Sequence, residues 1–257
     1  ALISILIIIP LMGIGYIYFK LNSMYDKEEA KQINATEESE RNKEKGITNI
    51  LLVGVDGNNM EKNSRSDAMM ILTVDSKNKS LKLTSLNRDT YVDIEGYSTE
   101  KLTHAYAYEG ASLLISTIKN NFGIDVDKYI AVSFESFEKI IDILGGVEVN
   151  VSEKEVSQIN GVNNSGIQTL NGSQALAYSR IDSAYERDNR QRTVIEALYN
   201  KFANGSSGNI MDIANEVLRY TKTNMAPLEI VSIANKAIKI KDTDFDQVEF
   251  PFEEARN

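Results

Sequence analysis

Three short runs of strand-forming residues, joined by connections too short to hold a helix, constrain this chain more than any other feature. Ile47–Val55 (ITNILLVGV) is apolar and β-branched as a buried strand requires, residues 68–74 (AMMILTV) form a second such run, and residues 81–86 (LKLTSL) alternate polar and apolar side chains as a third. A polar turn, residues 75–80, separates the last two. A parallel return needs a dozen or more residues of crossover, so these neighbours are predicted to be antiparallel. The end of the first strand, the start of the second and the end of the third then share one edge of a sheet. Residues 91–94 read as a short fourth strand.

Helical periodicity follows. Ala111–Phe122 places Leu114, Ile115, Ile118 and Phe122 on one face, and Gly123 is suited to cap its end. A strand at 129–133 leads into a helix at 134–144 with Phe137, Ile140, Ile141 and Leu144 inward. Gly145 and Gly146 stop that helix before Val147–Val151 (VEVNV) returns as strand. Further helices are expected at 173–179, 190–202, 209–222 and 226–238, with a last strand at 248–250. Strands alternating with helices make an α/β domain, which we bound at residues 46–257.

Ahead of it, residues 1–19 carry no charge and end in Tyr16, Tyr18, Phe19 and Lys20. At 1.5 Å per residue such a run nearly crosses a ~30 Å hydrocarbon layer, and the closing aromatics and cation suit a bilayer boundary. Residues 1–20 are therefore read as a transmembrane anchor, with further residues expected ahead of it. A cleaved signal peptide is the alternative, but no A-x-A-like site follows. Residues 21–45 are rich in Asp, Glu, Lys and Asn, and read as a solvated juxtamembrane helix or flexible spacer without chemistry.

Several functions are disfavoured by composition. A net charge of -9 argues against a nucleic-acid binder, so any phosphate site must be a local basic pocket. The absence of cysteine removes thiolate chemistry, and a single histidine, His104, makes a Ser-His-Asp triad or a multi-His zinc site improbable. A lone histidine just ahead of a helix is more often structural than catalytic.

Two features set Arg and Asp beside apolar structure. Asp56 follows the first strand, Arg65 and Asp67 precede the second, and Arg88 and Asp89 follow the third. On the antiparallel reading Asp56, Arg65, Asp67 and Arg88 converge at one sheet edge. Two carboxylates there suit a hard cation such as Mg²⁺, and guanidinium groups grip phosphate oxygens in a bidentate fork. Taken singly, each of these residues would more commonly cap a turn or make a surface ion pair. The second feature is YSRIDSAYERDNRQR, residues 178–192, which leads into a helix with Val194, Ile195, Leu198 and Phe202 as its buried stripe. Gln191 lies on that stripe one turn earlier, Arg187 sits four residues before it near the helix N-terminus, where an anion is favoured, and Arg180 follows Leu176 by four. The bland reading is a solvated charge run. Tyr106, Tyr108, Phe134 and Phe137 are more readily core residues than walls of a lipid groove.

At these residues the chain resembles the LytR-CpsA-Psr family of bacterial envelope proteins. NILLVGVD, SRSDAMMILTVD, SLNRDTYVDI, KLTHAYAYEG, ILGGVEVNV, LNGSQALAYSRI and RDNRQR are similar to the family's blocks, in the same order, from about Ile47 to Phe202. The resemblance implies a central mixed β-sheet flanked by helices, an α/β/α sandwich with an apolar pocket for a polyprenyl tail. It also implies an N-terminal anchor with the domain outside a Gram-positive-type cell membrane. By position, Asp56 and Asp67 resemble acidic residues near a Mg²⁺ (or Mn²⁺) ion, Arg65, Arg88, Arg180 and Arg187 resemble phosphate-binding arginines, and Gln191 resembles a polar residue lining the same site. Asp67, Arg88 and Arg187 are the expected catalytic set, with Asp67 the choice for general base. Where many members carry a second arginine two residues after the position of Arg180, this chain has Asp182.

The activity so implied is transfer of a phosphate-linked glycopolymer, such as teichoic acid or capsule, from a polyprenyl pyrophosphate carrier to peptidoglycan or another envelope acceptor. The rival readings are a noncatalytic lipid-carrier or wall-glycan binding module, and a pyrophosphatase acting on the same donor. Retention of Asp56, Asp67, Arg88 and Arg187 favours the enzyme, since tail binding alone needs no metal pair.

Overall fold

The computed structural model describes residues 25–35, 46–57, 60, 63–181, 187–204, 217, 219–240 and 246–250. In chain order the elements are α1 (Lys27–Ala35), β1 (Ile47–Val55), β2 (Ser66–Asp75), β3 (Ser80–Leu86), β4 (Tyr91–Asp93), β5 (Thr99–Lys101), α2 (Leu102–Glu109) and α3 (Ala111–Phe122). Then come β6 (Lys128–Ser133), α4 (Phe134–Ile143), β7 (Val147–Val151), the single turn α5 (Glu153–Val156), β8 (Gly166–Leu170), α6 (Gly172–Arg180), α7 (Arg187–Asn204), β9 (Lys222–Thr223), α8 (Pro227–Ile238) and β10 (Asp246–Phe250).

A six-stranded mixed sheet runs in the order β10-β3-β2-β1-β6-β9. As the short connections require, β1–β2 and β2–β3 are antiparallel; β6 lies parallel to β1 and β10 parallel to β3. The C-terminal ends of β1, β3, β6 and β10 and the start of β2 therefore share one edge, where open α/β sheets commonly bind ligands.

Strand periodicity divides the core. Leu51, Val53, Val55, Met69 and Ile71 pack on one face against Tyr106 of α2 and Leu114 and Ile118 of α3, with Ile33 of α1 in the same cluster. Ile50, Met70, Val74, Leu81 and Leu83 pack on the other against Ile195 and Tyr199 of α7 and Ile233 of α8. Burial on both faces explains why β1 and β2 read as continuous apolar runs. Beyond the sheet, the β7–β8 hairpin supplies Val147, Val149 and Leu170 to a satellite core with Ile141, Tyr178 and Val194.

Three expectations change. The charged stretch read as a solvated juxtamembrane helix or flexible spacer does contain a helix, α1, but one that buries Ala30 and Ile33 and is anchored on the domain. Asp26 holds Lys222 at 3.0 Å, and Glu29 Oε1 accepts the Ser112 N–H at 2.7 Å, capping α3 from outside. The segment around His104 is a helix in its own right, α2. Of the helix expected at 209–222, Lys222 belongs to β9, tied to β6 by the Thr223 hydroxyl donating to the Tyr129 carbonyl; residues 205–216 lie outside the described residues. No helix among the described residues is long and apolar enough to cross a membrane, and the run 1–20 lies outside them.

Candidate active site

At the shared sheet edge β1 and β2 slip register: Gly54 pairs with Ala68, Val55 with Ser66, and Asp67 is left over as a bulge. A bulge re-aims one side chain, and here it belongs to a carboxylate. The start of α2 fixes the surroundings, because Thr103 donates its hydroxyl to the Ser66 carbonyl (2.9 Å) and its N–H to the Arg88 carbonyl (3.1 Å). The end of β3 is thereby stapled to the start of β2. Arg88 Nη1 then donates to Asp67 Oδ1 at 2.7 Å, and Arg187 Nη2, from the first turn of α7, lies 3.6 Å from Asp67 Oδ2. Residues 120 positions apart meet on one carboxylate.

Behind them opens a cavity of about 160 Å³. Leu52, Gly54, Ala68 and Met70 line it from the sheet, Phe134 and Phe137 from α4, Leu176 from α6, and Val194 and Ile195 from α7. Gly54 and Ala68 keep this part of the sheet low: a Cβ on Gly54 would stand 3.1 Å from that of Ala68. Asp67, Arg180, Arg187 and Gln191 supply the charged and amide groups of the lining. The Arg180 guanidinium lies 4.5 Å from the Phe134 ring centroid, a cation over an aromatic face. Gln191 is 9% exposed, as its place on the buried stripe predicts.

The two guanidinium groups on Asp67 are not equivalent. Burial pulls the pKa of Arg88 down but is outweighed by the charge and hydrogen bond of Asp67, so the net shift is upward. For Arg187, burial and then repulsion from Arg88 win over the longer contact with Asp67, and the shift is downward. Its Nε is buried and has no hydrogen-bond partner among the described residues. Arg187 is thus a desolvated cation with spare donor capacity, a state that an anionic ligand would relieve. Its neighbour Asp188 is pushed up to about 6, first by burial and then by a hydrogen bond shared with Glu249 of β10.

Of the residues expected to meet, Asp67, Arg180, Arg187 and Gln191 line one cavity, while Arg88 joins them through its bond to Asp67 without lining the cavity itself. Asp56 and Arg65 are exposed beside them, joined by the Asp56 N–H donating to the Arg65 carbonyl at 2.9 Å, and neither lines the cavity. Asp182 lies outside the described residues. Of the four aromatics, Phe134 and Phe137 line the cavity while Tyr106 is core on the opposite face. The other arginines of the charged segment are structural. Arg190 reaches Glu155 (3.1 Å) and the Ile181 carbonyl (2.9 Å), and Arg192 reaches Ser85 (2.8 Å) and Gln247 (3.2 Å). Ser133 and Ser179 in the lining went unremarked; Ser133 is legible as the N-cap of α4, accepting the Ser136 N–H at 3.1 Å.

Among the described residues no three His, Cys, Asp or Glu side chains are placed to hold a metal ion. Mg²⁺ commonly keeps waters and shares its sphere with phosphate oxygens instead of needing an all-protein cage.

The sequence model of the LytR_cpsA_psr family matches residues 15–257. A polyisoprenyl-teichoic acid–peptidoglycan teichoic acid transferase TagU of Enterococcus faecalis is 32% identical over 244 residues, 90% of this chain and 80% of that protein. Its Bacillus subtilis namesake is 33% identical, covering 87% and 78%. The Bacillus licheniformis TagU is 39% identical over 165 residues, a match spanning 53% of that protein. Among solved structures, TagT bound to LI-WTA superposes with a TM-score of 0.67 at 30% identity, covering 82% of this chain and 80% of that one. TagT with bound octaprenyl pyrophosphate lipid gives 0.63 at 30%, covering 82% and 79%.

Proposed function

The chain belongs to the LytR_cpsA_psr family, and on that premise we propose that it moves a phosphate-linked glycopolymer from a polyprenyl pyrophosphate carrier onto peptidoglycan. Teichoic acid is the donor class that its relatives' names indicate. One observation carries the reading: Arg187, desolvated and under-partnered among the described residues, stands with Asp67 in the wall of an apolar cavity, and Arg88 holds the same carboxylate. That cavity suits the near end of a prenyl chain, and the arginines suit the pyrophosphate.

In the transfer, an acceptor hydroxyl oxygen attacks the phosphorus joined to the glycopolymer. The new O–P bond forms as the bond to the bridging oxygen breaks, and polyprenyl phosphate leaves with the electron pair. Arg88, Arg180 and Arg187 hold the oxygens on which charge gathers, so positioning and electrostatics dominate the rate. Entry of the pyrophosphate draws Arg88 and Arg187 off Asp67. The freed carboxylate would hold Mg²⁺ with Asp56, and it is our choice of base for the hydroxyl proton. The cation would neutralise and orient pyrophosphate oxygens. Residues 1–20 anchor the chain in the cell membrane of a Gram-positive-type envelope, with the domain outside.

The test is to incubate the full chain in detergent with a lipid-linked teichoic acid precursor, Mg²⁺ and peptidoglycan fragments. Polymer linked to peptidoglycan with release of polyprenyl phosphate is expected, with loss of turnover in excess chelator. Donor that binds without being consumed would overturn the enzyme reading, and consumption with water as the sole acceptor would establish the pyrophosphatase.

A further inference from the structure

Outside the cavity a second constellation starts at Arg88 and leads away from it. Lys101, at the end of β5, and His104 and Tyr108 of α2 stand at i, i+3 and i+7, one stripe along the helix, rising roughly 10 Å. At its lower end Lys101 Nζ is 2.7 Å from Asp89 Oδ1, and Asp89 Oδ2 is 3.5 Å from Arg88 Nε, whose other branch holds Asp67. The stripe is therefore continuous with the charged mouth.

Its polar groups are fixed. Glu100 accepts from the Tyr108 hydroxyl (2.6 Å), from Ser98 Oγ (2.9 Å) and from His104 Nδ1 (2.7 Å), and these bonds, that of Tyr108 foremost, hold its carboxyl down to about 2. The turn between β4 and β5 then lays Tyr97 on Tyr108 with ring centroids 4.1 Å apart and planes within 6°. Tyr97 donates to Glu109 at 3.2 Å, and yet it stays 45% exposed. Parallel stacking of the two rings, each held at its rim by a carboxylate, leaves the partly exposed Tyr97 as a flat ring at the surface. Core packing does not account for a ring that remains so open.

The chemistry of the patch selects its occupant. An exposed flat ring flanked by fixed hydrogen-bonding groups matches a pyranose, whose C–H face packs on the negative face of the aromatic while its hydroxyls meet carboxylate and imidazole. Glu109 on Tyr97 and Glu100 on Tyr108 place negative charge at the stacked pair, which repels a polyphosphate chain and tolerates a neutral sugar. We propose that the Lys101–His104–Tyr108 stripe and the Tyr97 face form an acceptor subsite that holds a glycan strand beside the mouth and presents a hydroxyl to the phosphorus at Arg88 and Arg187. This rests on the transferase reading above, and it names where the second substrate sits.

Binding and turnover are measured separately so that the two readings fail separately. The full chain in detergent is titrated with peptidoglycan glycan strands freed of their peptides, using saturation-transfer NMR, and the same preparations are assayed with lipid-linked donor for transfer and for hydrolysis. Tyr97→Ala is expected to weaken strand binding and raise the acceptor KM about tenfold, with donor hydrolysis unchanged, because Tyr97 touches no residue of the cavity. Tyr97→Phe, which keeps the ring and loses only the bond to Glu109, should stay within about twofold of the parent chain. Strands that fail to bind the parent chain, or that bind Tyr97→Ala equally well, overturn the subsite. Strand binding that depends on Tyr97 in a chain that consumes no donor supports the subsite and overturns the transferase instead.

Discussion

Asp67 is where two distant parts of the sequence become one site, and its value lies in what it leaves unsatisfied. An ion pair such as Arg88–Asp67, with the arginine side chain 36% exposed, contributes about 1 kcal/mol or less to stability, so the arrangement is not explained by folding alone. Arg187, 19% exposed and with a buried Nε lacking a partner among the described residues, is a net cost that a bound anion would relieve. Replacing Arg187 or Arg88 by Ala should therefore lower transfer by roughly 10²- to 10³-fold while moving the urea midpoint little, and Lys should restore only a small part because it lacks the planar fork. Single-turnover assays beside urea titrations check both halves; a midpoint that collapses with the rate would make these arginines structural. At this scale the sequence was legible wherever position relative to an apolar stripe decided direction, as for Gln191, Arg187 and Arg180. It was less so for Asp56 and Arg65, because a turn between two strands carries no periodicity to aim its side chains.

The elements that wall the cavity depend on one close approach. A Cβ on Gly172, at the start of α6, would stand 2.2 Å from the Glu138 carbonyl oxygen of α4, and the Gly172 N–H donates to Asp142 at 2.7 Å. Since α4 brings Phe134 and Phe137 and α6 brings Leu176 and Arg180, separating the two helices would also widen the cavity between them. Gly172→Ala is expected to cost about 1–3 kcal/mol in urea unfolding and to weaken binding of a polyprenyl phosphate several-fold. Unchanged stability would show that α4 and α6 move apart freely. The periodic helices expected at 111–122, 134–144, 190–202 and 226–238 and the two-sided strands were readable to within a few residues. Helix α2 was missed because eight residues give barely two turns of pattern, four of its residues are buried, and Gly110 breaks it from α3. Strand β8 escaped because alternate side chains, Ile167 among them at 76% exposure, face solvent in a two-stranded sheet.

For the molecule as a whole, α1 alters where the domain begins. A chain starting at Gly46 looked complete by composition, but it would lose the buried Ala30 and Ile33 and the Glu29 cap on α3, about 3–5 kcal/mol together. Charged sequence concealed this, since two small patches of contact on a polar helix leave no stripe to read. A chain starting at Tyr25 should unfold at a clearly higher urea concentration than one starting at Gly46, and equal midpoints would return α1 to the role of spacer. The docked helix also sets a length. Tyr25 is bridged to Thr223 of the sheet, so between it and the proposed anchor, residues 1–20, only residues 21–24 remain, and four residues reach at most ~14 Å where twenty-five would reach nearly 90 Å. If residues 1–20 span the membrane as proposed, the domain, roughly 45 Å across, is moored against the bilayer surface on a leash shorter than its own radius. On that geometry a carrier lipid would pass its headgroup to the site without leaving the leaflet, and the wall strands within reach would be the innermost ones.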